Sequence, residues 1–215
     1  MCPSEDGSRP GIFYLNTYNL AARPTWAKGA LTLHEAVPGH HYQLALQREM
    51  QTLPPFRRFG GETAFIEGWG LYAESLGDEL GVYGPYDRYG AYIAELWRAI
   101  RLVVDTGIHA FDWSRNDVLA YMYANAPVAE ARAVSEAERF MALPGQALAY
   151  KIGQLKIREL RDYAEEQLGD AFDVRAFHRE TLRHGSLPLS LLEQQIQRWV
   201  AGIQHSAATG DQSHE

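Results

Sequence analysis

The chain has 215 residues, 46% hydrophobic and 22% charged, and 20 Lys+Arg against 27 Asp+Glu give a net charge of -7. That composition excludes a disordered polypeptide, and the length suits one domain with a core large enough to need no staples. The acidic balance makes nucleic acid and anionic membrane poor partners, and the single cysteine, Cys2, rules out a disulfide framework and any multi-cysteine metal site while leaving eight histidines available.

The opening residues, MCPSEDGSRPG, are polar and turn-rich. They lack a signal-peptide core and the apolar run that should precede a lipoprotein cysteine. No segment is long and apolar enough to span a bilayer. The chain as given is therefore expected to be cytoplasmic, or exported if it is a fragment of a longer precursor. Gly11 to Asn19 is short and rich in aromatic residues, which predicts a strand or extended segment. Pro24 and Trp26 precede a helical stretch from Ala27 to Met50, interrupted at Pro38-Gly39. Thr52 to Gly61 reads as a loop, and Glu62 to Leu80 as a helix ended by Gly81. Tyr89, Ile93, Leu96, Ile100 and Val104 recur at helical spacing and predict a long helix from Pro85 to about Ala110. Ser114 to Asn125 opens with S-x-x-D, a capping-box start with Asp in place of Glu. Pro127 starts another helix, and Pro144 the next, to about Leu168. Val174–Arg183 and Pro188–Gln204 complete the set. The expected fold is mainly α, with about seven or eight helices and at most a short β segment near the N-terminus. Residues 1–204 form a single helical domain, and 205–215 a small, polar, disordered tail. No Gly-rich loop follows a strand, so nucleotide binding has no support.

The chemistry concentrates at His34-Glu35-Ala36-Val37-Pro38-Gly39-His40-His41. In H-E-x-x-H one helical turn brings two imidazoles to one zinc, and the glutamate faces the metal-bound water. Here Pro38-Gly39 sits inside the motif. On a straight helix His34 and His40 would diverge by about 600° of rotation, and His34 and His41 would share a face but lie roughly 10 Å apart. A break at Pro38-Gly39 can bring one histidine back. His40 is the favoured second ligand and His41 the alternative. The plain reading is a chance His-Glu and His-His pair on one helix. Against it, Glu67 follows His40 after a loop's length, and Glu67 and Glu74 share a helix face among Phe65, Ile66, Trp69, Leu71 and Tyr72. Carboxylates among so much apolar surface need a partner, and a metal is one.

HEAVPGHHYQ, FIEGWGLYAE, VDTGIHA, PGQALAYKIG and HGSLPL, in that order, resemble the C-terminal half of the bacterial domain-of-unknown-function 885 family. The resemblance runs from about Arg9 to about Val200. That family is grouped with zinc metallopeptidases whose third ligand is a glutamate, and FIEGWGLYAE is also similar to the glutamate helix of thimet-type oligopeptidases. The resemblance implies a gluzincin-like catalytic half holding Zn2+ through His34, His40 and Glu67. It places Glu74 behind the ligands, gives Glu35 the role of general base, and gives Tyr150 that of the late tyrosine stabilising the oxyanion. Members are usually longer, with a helical N-terminal half that this chain lacks. The implied activity is hydrolysis of short peptides. The alternatives are a non-catalytic metal-binding or scaffold remnant and a zinc hydrolase of another amide or ester. A homodimer or a separate N-terminal partner is expected, docking through Phe13-Tyr14-Leu15 and the Tyr83–Tyr92 face.

Other residues carry weaker readings. His109, one turn after Asp105, is an oriented histidine or a helix-end cap. Arg98 and Arg101 bind a substrate carboxylate or lie exposed on a long helix. His184 lines the cleft or belongs to the turn before Pro188. His178, His205 and His214 are expected at the surface. Trp69, Trp97, Trp113 and Trp199 are expected in the core, and Glu159 to Glu166 on a solvated helix face.

Overall fold

The computed structural model describes Ser4, Thr17, Leu20 and residues 8–14 and 24–210, with side chains as far as residue 206. Among these residues the chain forms ten α-helices and no strand. They are α1 (Lys28–Glu35), α2 (His40–Glu49), α3 (Pro55–Phe59), α4 (Thr63–Ser75), α5 (Pro85–Ala110), α6 (Arg115–Asn125), α7 (Glu130–Ala142), α8 (Gln146–Leu168), α9 (Val174–Leu182) and α10 (Leu189–Gly210). The fold is all-α, as the periodicity predicts. The expected β segment is absent at residues 11–14 and 17; its other residues lie outside those described, as do Cys2 and His214.

Several boundaries move for local reasons. The 52–61 loop contains the short α3, with Pro55 at its first position, where a missing N–H costs nothing. α8 starts at Gln146 rather than Pro144, because Gly145 adopts a left-handed conformation (φ 79°) before the helix. α7 starts after Ala129, which is extended. α4 stops at Ser75, and the turns beyond it fold Tyr83 back so that its hydroxyl donates to the Glu74 carbonyl at 2.6 Å. Tyr83 is thus buried, against the expectation of an exposed face. α10 runs on to Gly210, past the expected boundary at 204; Ile203 packs on the core and the Gln204 amide donates to the Gln167 carbonyl at 3.1 Å.

α4 is the hub. It packs along α8 and meets α1 and α2 on its other flanks. Phe65, Trp69 and Tyr72 of α4 join Ile157, Leu160 and Ala164 of α8, Phe177 of α9, and Leu192, Ile196 and Val200 of α10 in one core. A second core gathers Trp97, Ile100 and Val104 of α5, Val118 and Met122 of α6, Phe140 of α7 and Ala147 of α8. Trp69 and Trp97 are buried, and Trp113 and Trp199 pack at the core margins. The capping box Ser114–Asp117 closes α6 as expected: the Ser114 N–H donates to Asp117 at 2.8 Å.

Two side chains expected at the surface are built in. Arg161 bridges Glu79 (2.8 Å), Glu165 (2.8 Å) and the Tyr72 hydroxyl (3.1 Å), tying α8 to the turn after α4. His178 lies half-buried against the rings of Trp69 and Tyr72, and its Nε2 accepts from the Tyr72 hydroxyl at 2.8 Å. Burial, then the charge of Arg161, pushes its pKa from 6.5 down to about 4. Between those values the unfolded chain binds the proton and the folded chain does not, so stability rises with pH there and is lost as pH falls from 6.5 toward 4. Discounted for partial exposure, the effect is about 1–2 kcal/mol. Urea midpoints at pH 7 and pH 5 should diverge in the native chain and converge in His178→Phe. An equal acid loss in both would place the sensitivity elsewhere.

Candidate metal centre

The site is built where α1 ends. Ala30, Leu33 and His34 face inward, and the helix stops when Ala36 leaves helical dihedrals (φ -98°, ψ -112°). The chain turns back so tightly that a Cβ on Gly39 would stand 1.9 Å from the His34 carbonyl oxygen, a position only glycine can fill. α2 then begins at His40. The Trp69 indole N–H of α4 donates to the Pro38 carbonyl at 2.8 Å and pins the break. The result is the geometry a straight helix denies: the His34 and His40 rings stand 4.5 Å apart, centre to centre, at 85°. His41 is exposed and outside the cluster.

α4 delivers the carboxylate. Glu67 Oε2 lies 3.5 Å from His34 Nε2 and 3.2 Å from His40 Nε2, and one ligand atom from each of the three lies within 4.8 Å of the others. Tetrahedral zinc with bonds of about 2.0–2.2 Å sets ligand atoms roughly 3.3 Å apart. The two edges to Glu67 fit that cage, and the donor set of two imidazoles and one carboxylate suits the ion. Gly70 makes room, since a Cβ there would lie 2.8 Å from the Cε1 of both His34 and His40.

The far nitrogens are held as well. His34 Nδ1 donates to Glu74 Oε1 at 2.7 Å, and His40 Nδ1 faces Gln43 Oε1 at 3.4 Å, so each ring presents Nε2 to the shared centre. Arg98 donates to the same Glu74 oxygen at 2.9 Å; Glu74 is 1% exposed and Arg98 largely buried. Arg98 therefore serves Glu74 rather than a substrate. Burial disfavours a charged His34, but hydrogen bonds to Glu67 and Glu74 outweigh it and raise its pKa. Burial likewise works against the Glu67 carboxylate, yet the hydrogen bonds of His34 and His40 hold it well below the usual carboxylate range. The three groups share protons that a divalent cation would displace.

Glu35 is half-buried and makes no hydrogen bond or ion pair among the described residues. The Tyr150 ring lies 6.3 Å from that of His34 and nearly parallel to it, and its hydroxyl accepts from Gln146 Nε2 (3.1 Å) and Arg139 (3.5 Å). The other candidates stand apart. Arg101 is buried, paired with Glu136 at 2.7 Å, and lies over the faces of Tyr150 and Phe140. Asp105 does not orient His109: both its oxygens accept the Gly145 N–H at 3.1 Å, while His109 donates to the Phe140 carbonyl at 3.0 Å. His184 lies in the turn before Pro188, where its carbonyl accepts from Arg57 at 2.7 Å. Sequence reading passes over Gly70, Arg139, Gln146 and Glu136. Glu136 and Arg139 carry only an ordinary i,i+3 spacing, and nothing local shows that Glu136 pairs with Arg101 and that Arg139 meets Tyr150.

Fold and site together define an all-helical protein with a two-histidine, one-glutamate constellation on three adjacent helices. Residues 1–196 match the family described as "Bacterial protein of unknown function (DUF885)", and the chain belongs to it. The solved structures it is similar to include two described as lipoproteins. "The putative lipoprotein from Colwellia psychrerythraea" is 44% identical with a TM-score of 0.91, the match covering 93% of this chain and 34% of that one. "A putative lipoprotein of unknown function from Shewanella oneidensis" is 25% identical with a TM-score of 0.77, covering 88% and 36%. The chain spans about a third of the length of each. No curated protein matches it. None of the described helices is long and apolar enough to cross a membrane.

Proposed function

We propose that this chain is the metal-bearing part of a zinc-dependent peptidase acting on short peptides. One observation carries the reading: Glu67 Oε2 stands at tetrahedral edge lengths from the Nε2 atoms of His34 and His40, and the residue that follows His34 in α1, Glu35, is a carboxylate with no partner among the described residues. A structural metal site has no use for such a base. Zinc, when bound, lowers the pKa of a coordinated water toward 7 and polarises a carbonyl. Glu35 takes a proton from the attacking water and gives it to the leaving amine nitrogen. Glu74, held by Arg98, keeps His34 in the tautomer that offers Nε2. The Tyr150 hydroxyl accepts from Gln146 and Arg139, which leaves its own proton to donate to the carbonyl oxygen as charge develops there.

A second reading rests on length. The chain spans about a third of the length of its solved relatives, and it exposes Phe13, Tyr14, Tyr86, Tyr89 and Tyr92. On that reading the chain alone binds metal but holds substrate loosely and pairs with a second copy or a separate partner. The description of both relatives as lipoproteins supports an exported setting for the activity. The chain should hydrolyse short peptides at well under about 10 per second, stop with a zinc chelator and resume with added zinc, while scattering light as more than a monomer. Hydrolysis indifferent to chelation would overturn the peptidase reading. A fast monomer would overturn the need for a partner.

A further inference from the structure

The Tyr150 ring stacks beside His34, and its hydroxyl meets the amide of Gln146 and the guanidinium of Arg139. Arg139 is not used up there. Its side chain is 36% exposed, and its nearest carboxylate oxygen, Glu136 Oε1, stands at 3.8 Å, while the other oxygen of that carboxylate, Oε2, accepts from Arg101 at 2.7 Å. The wall around it is cationic. Arg98 and Arg101 are matched by Glu74 and Glu136, but Arg132 stacks on Trp97 and makes no ion pair among the described residues; Arg139 has only the long ion pair, and its Nη2 donates to Gln146 Oε1 at 3.1 Å while Nε and Nη1 make no hydrogen bond among the described residues. The positive charge of Arg139 is supported first by the Tyr150 hydroxyl, then by the charges of Glu136 and Glu67, so it feels the metal-ligand carboxylate.

Resting on the peptidase reading, we propose that Arg139, with Gln146 and Tyr150 beside it, is the subsite for the substrate's C-terminal carboxylate, which makes the site one that cuts near the end of a chain. A guanidinium fork with free N–H groups in a partly dry wall matches a carboxylate in charge and shape. The terminal carboxylate is the one anion every unmodified short peptide carries. Spacing agrees. The path from the His34 ring to Arg139 comprises a 6.3 Å ring stack, half a phenol and a 3.5 Å contact. At about 3.5 Å per extended residue this is no more than roughly three or four residues. A peptide bond held at the cluster therefore lies within a few residues of the anchored end.

The test is binding, with a readout independent of turnover. The zinc-loaded Glu35→Gln chain is titrated, by fluorescence anisotropy, with an N-terminally labelled hexapeptide as the free acid, as the C-terminal amide, and as an amide ending in glutamate. The free acid should bind about tenfold or more tightly than the plain amide. Adding Arg139→Gln should erase that gap and leave the amide's affinity within about threefold. Equal binding of acid and amide overturns the proposal, as does no binding of any peptide up to about 1 mM. An amide with terminal glutamate that matches the free acid shows a side-chain carboxylate pocket and overturns the chain-end reading. If Arg139→Gln fails to fold by circular dichroism, the acid–amide comparison without that substitution decides. Zinc content measured on the same protein separates the levels: a chain without zinc sinks the peptidase reading itself, whereas a zinc-loaded chain that ignores the carboxyl group sinks only the subsite.

Discussion

About one zinc per chain should co-purify with the native protein, and His34→Ala, His40→Ala or Glu67→Ala should remove it. Each deletes one of three donors that lie within 4.8 Å of one another, with Glu67 Oε2 at cage distance from both Nε2 atoms. Outer partners of metal ligands typically cost about 10–100-fold in affinity when replaced, so loss of a ligand should cost well over 100-fold. Glu74→Gln and Arg98→Met should fall in the 10–100-fold range, because they act on the metal only through His34 Nδ1. His41→Ala should change nothing, since His41 is exposed outside the cluster. Glu35→Gln should keep full zinc while hydrolysis falls by about 10²–10⁴, the usual worth of a positioned base. Elemental analysis with competition against a chromophoric chelator measures the first set, and peptide turnover the last. Zinc lost in Glu35→Gln but retained in Glu67→Ala would reverse the roles, and equal losses in His41→Ala and His40→Ala would refute the assignment of the second ligand.

What the sequence makes legible follows from the range of the interactions. Helix existence is local: the apolar periodicity of Pro85–Ala110 and the Ser114–Asp117 cap predict α5 and α6 as they stand. The His34–Glu35 pair, the Pro38-Gly39 break and Glu67 are local signals too, and the break has the consequence expected of it, two imidazoles 4.5 Å apart. Proline-led starts are less reliable, because α7 and α8 begin two or three residues after Pro127 and Pro144. Burial is the harder matter. Tyr83 and His178 read as surface residues, yet a folded-back turn and a Trp69–Tyr72 pocket enclose them, and neither shows in the flanking sequence. Arg101, a reasonable substrate ligand on an exposed helix face, turns inward to Glu136, and Asp105 caps α8 from forty residues away. Such pairings are tertiary, and no spacing announces them. Gly70 is the clearest case: within a helix it reads as a weak point, and only the two histidines packed against it show its use.

Gly70→Ala and Gly153→Ala should therefore fail in opposite ways. At Gly70 the added Cβ would stand 2.8 Å from the Cε1 of His34 and of His40, both at the ends of side chains that can swing aside. The helix itself gains, since alanine is favoured over glycine by about 1 kcal/mol in a helix interior. Melting should change little, the helix gain offsetting the disturbed His34–Glu74 hydrogen bond, while zinc affinity drops by at least about 10–100-fold as both imidazoles leave the positions that face Glu67. At Gly153 the Cβ would meet backbone, 1.8 Å from the Ala64 carbonyl oxygen and 2.7 Å from the Gly68 Cα. Nothing there can rotate away, so α4 and α8 must part along the contact that builds the main core. Overpacking of this kind costs about 3 kcal/mol or more. Because α4 carries Glu67 and Glu74 while α8 carries Tyr150, zinc binding should weaken along with stability rather than apart from it. Denaturant midpoints and zinc titrations on the two variants read both effects. Native zinc affinity in Gly70→Ala would show that the rings do not rest on this helix, and an unchanged midpoint in Gly153→Ala would show that the two helices are not in backbone contact.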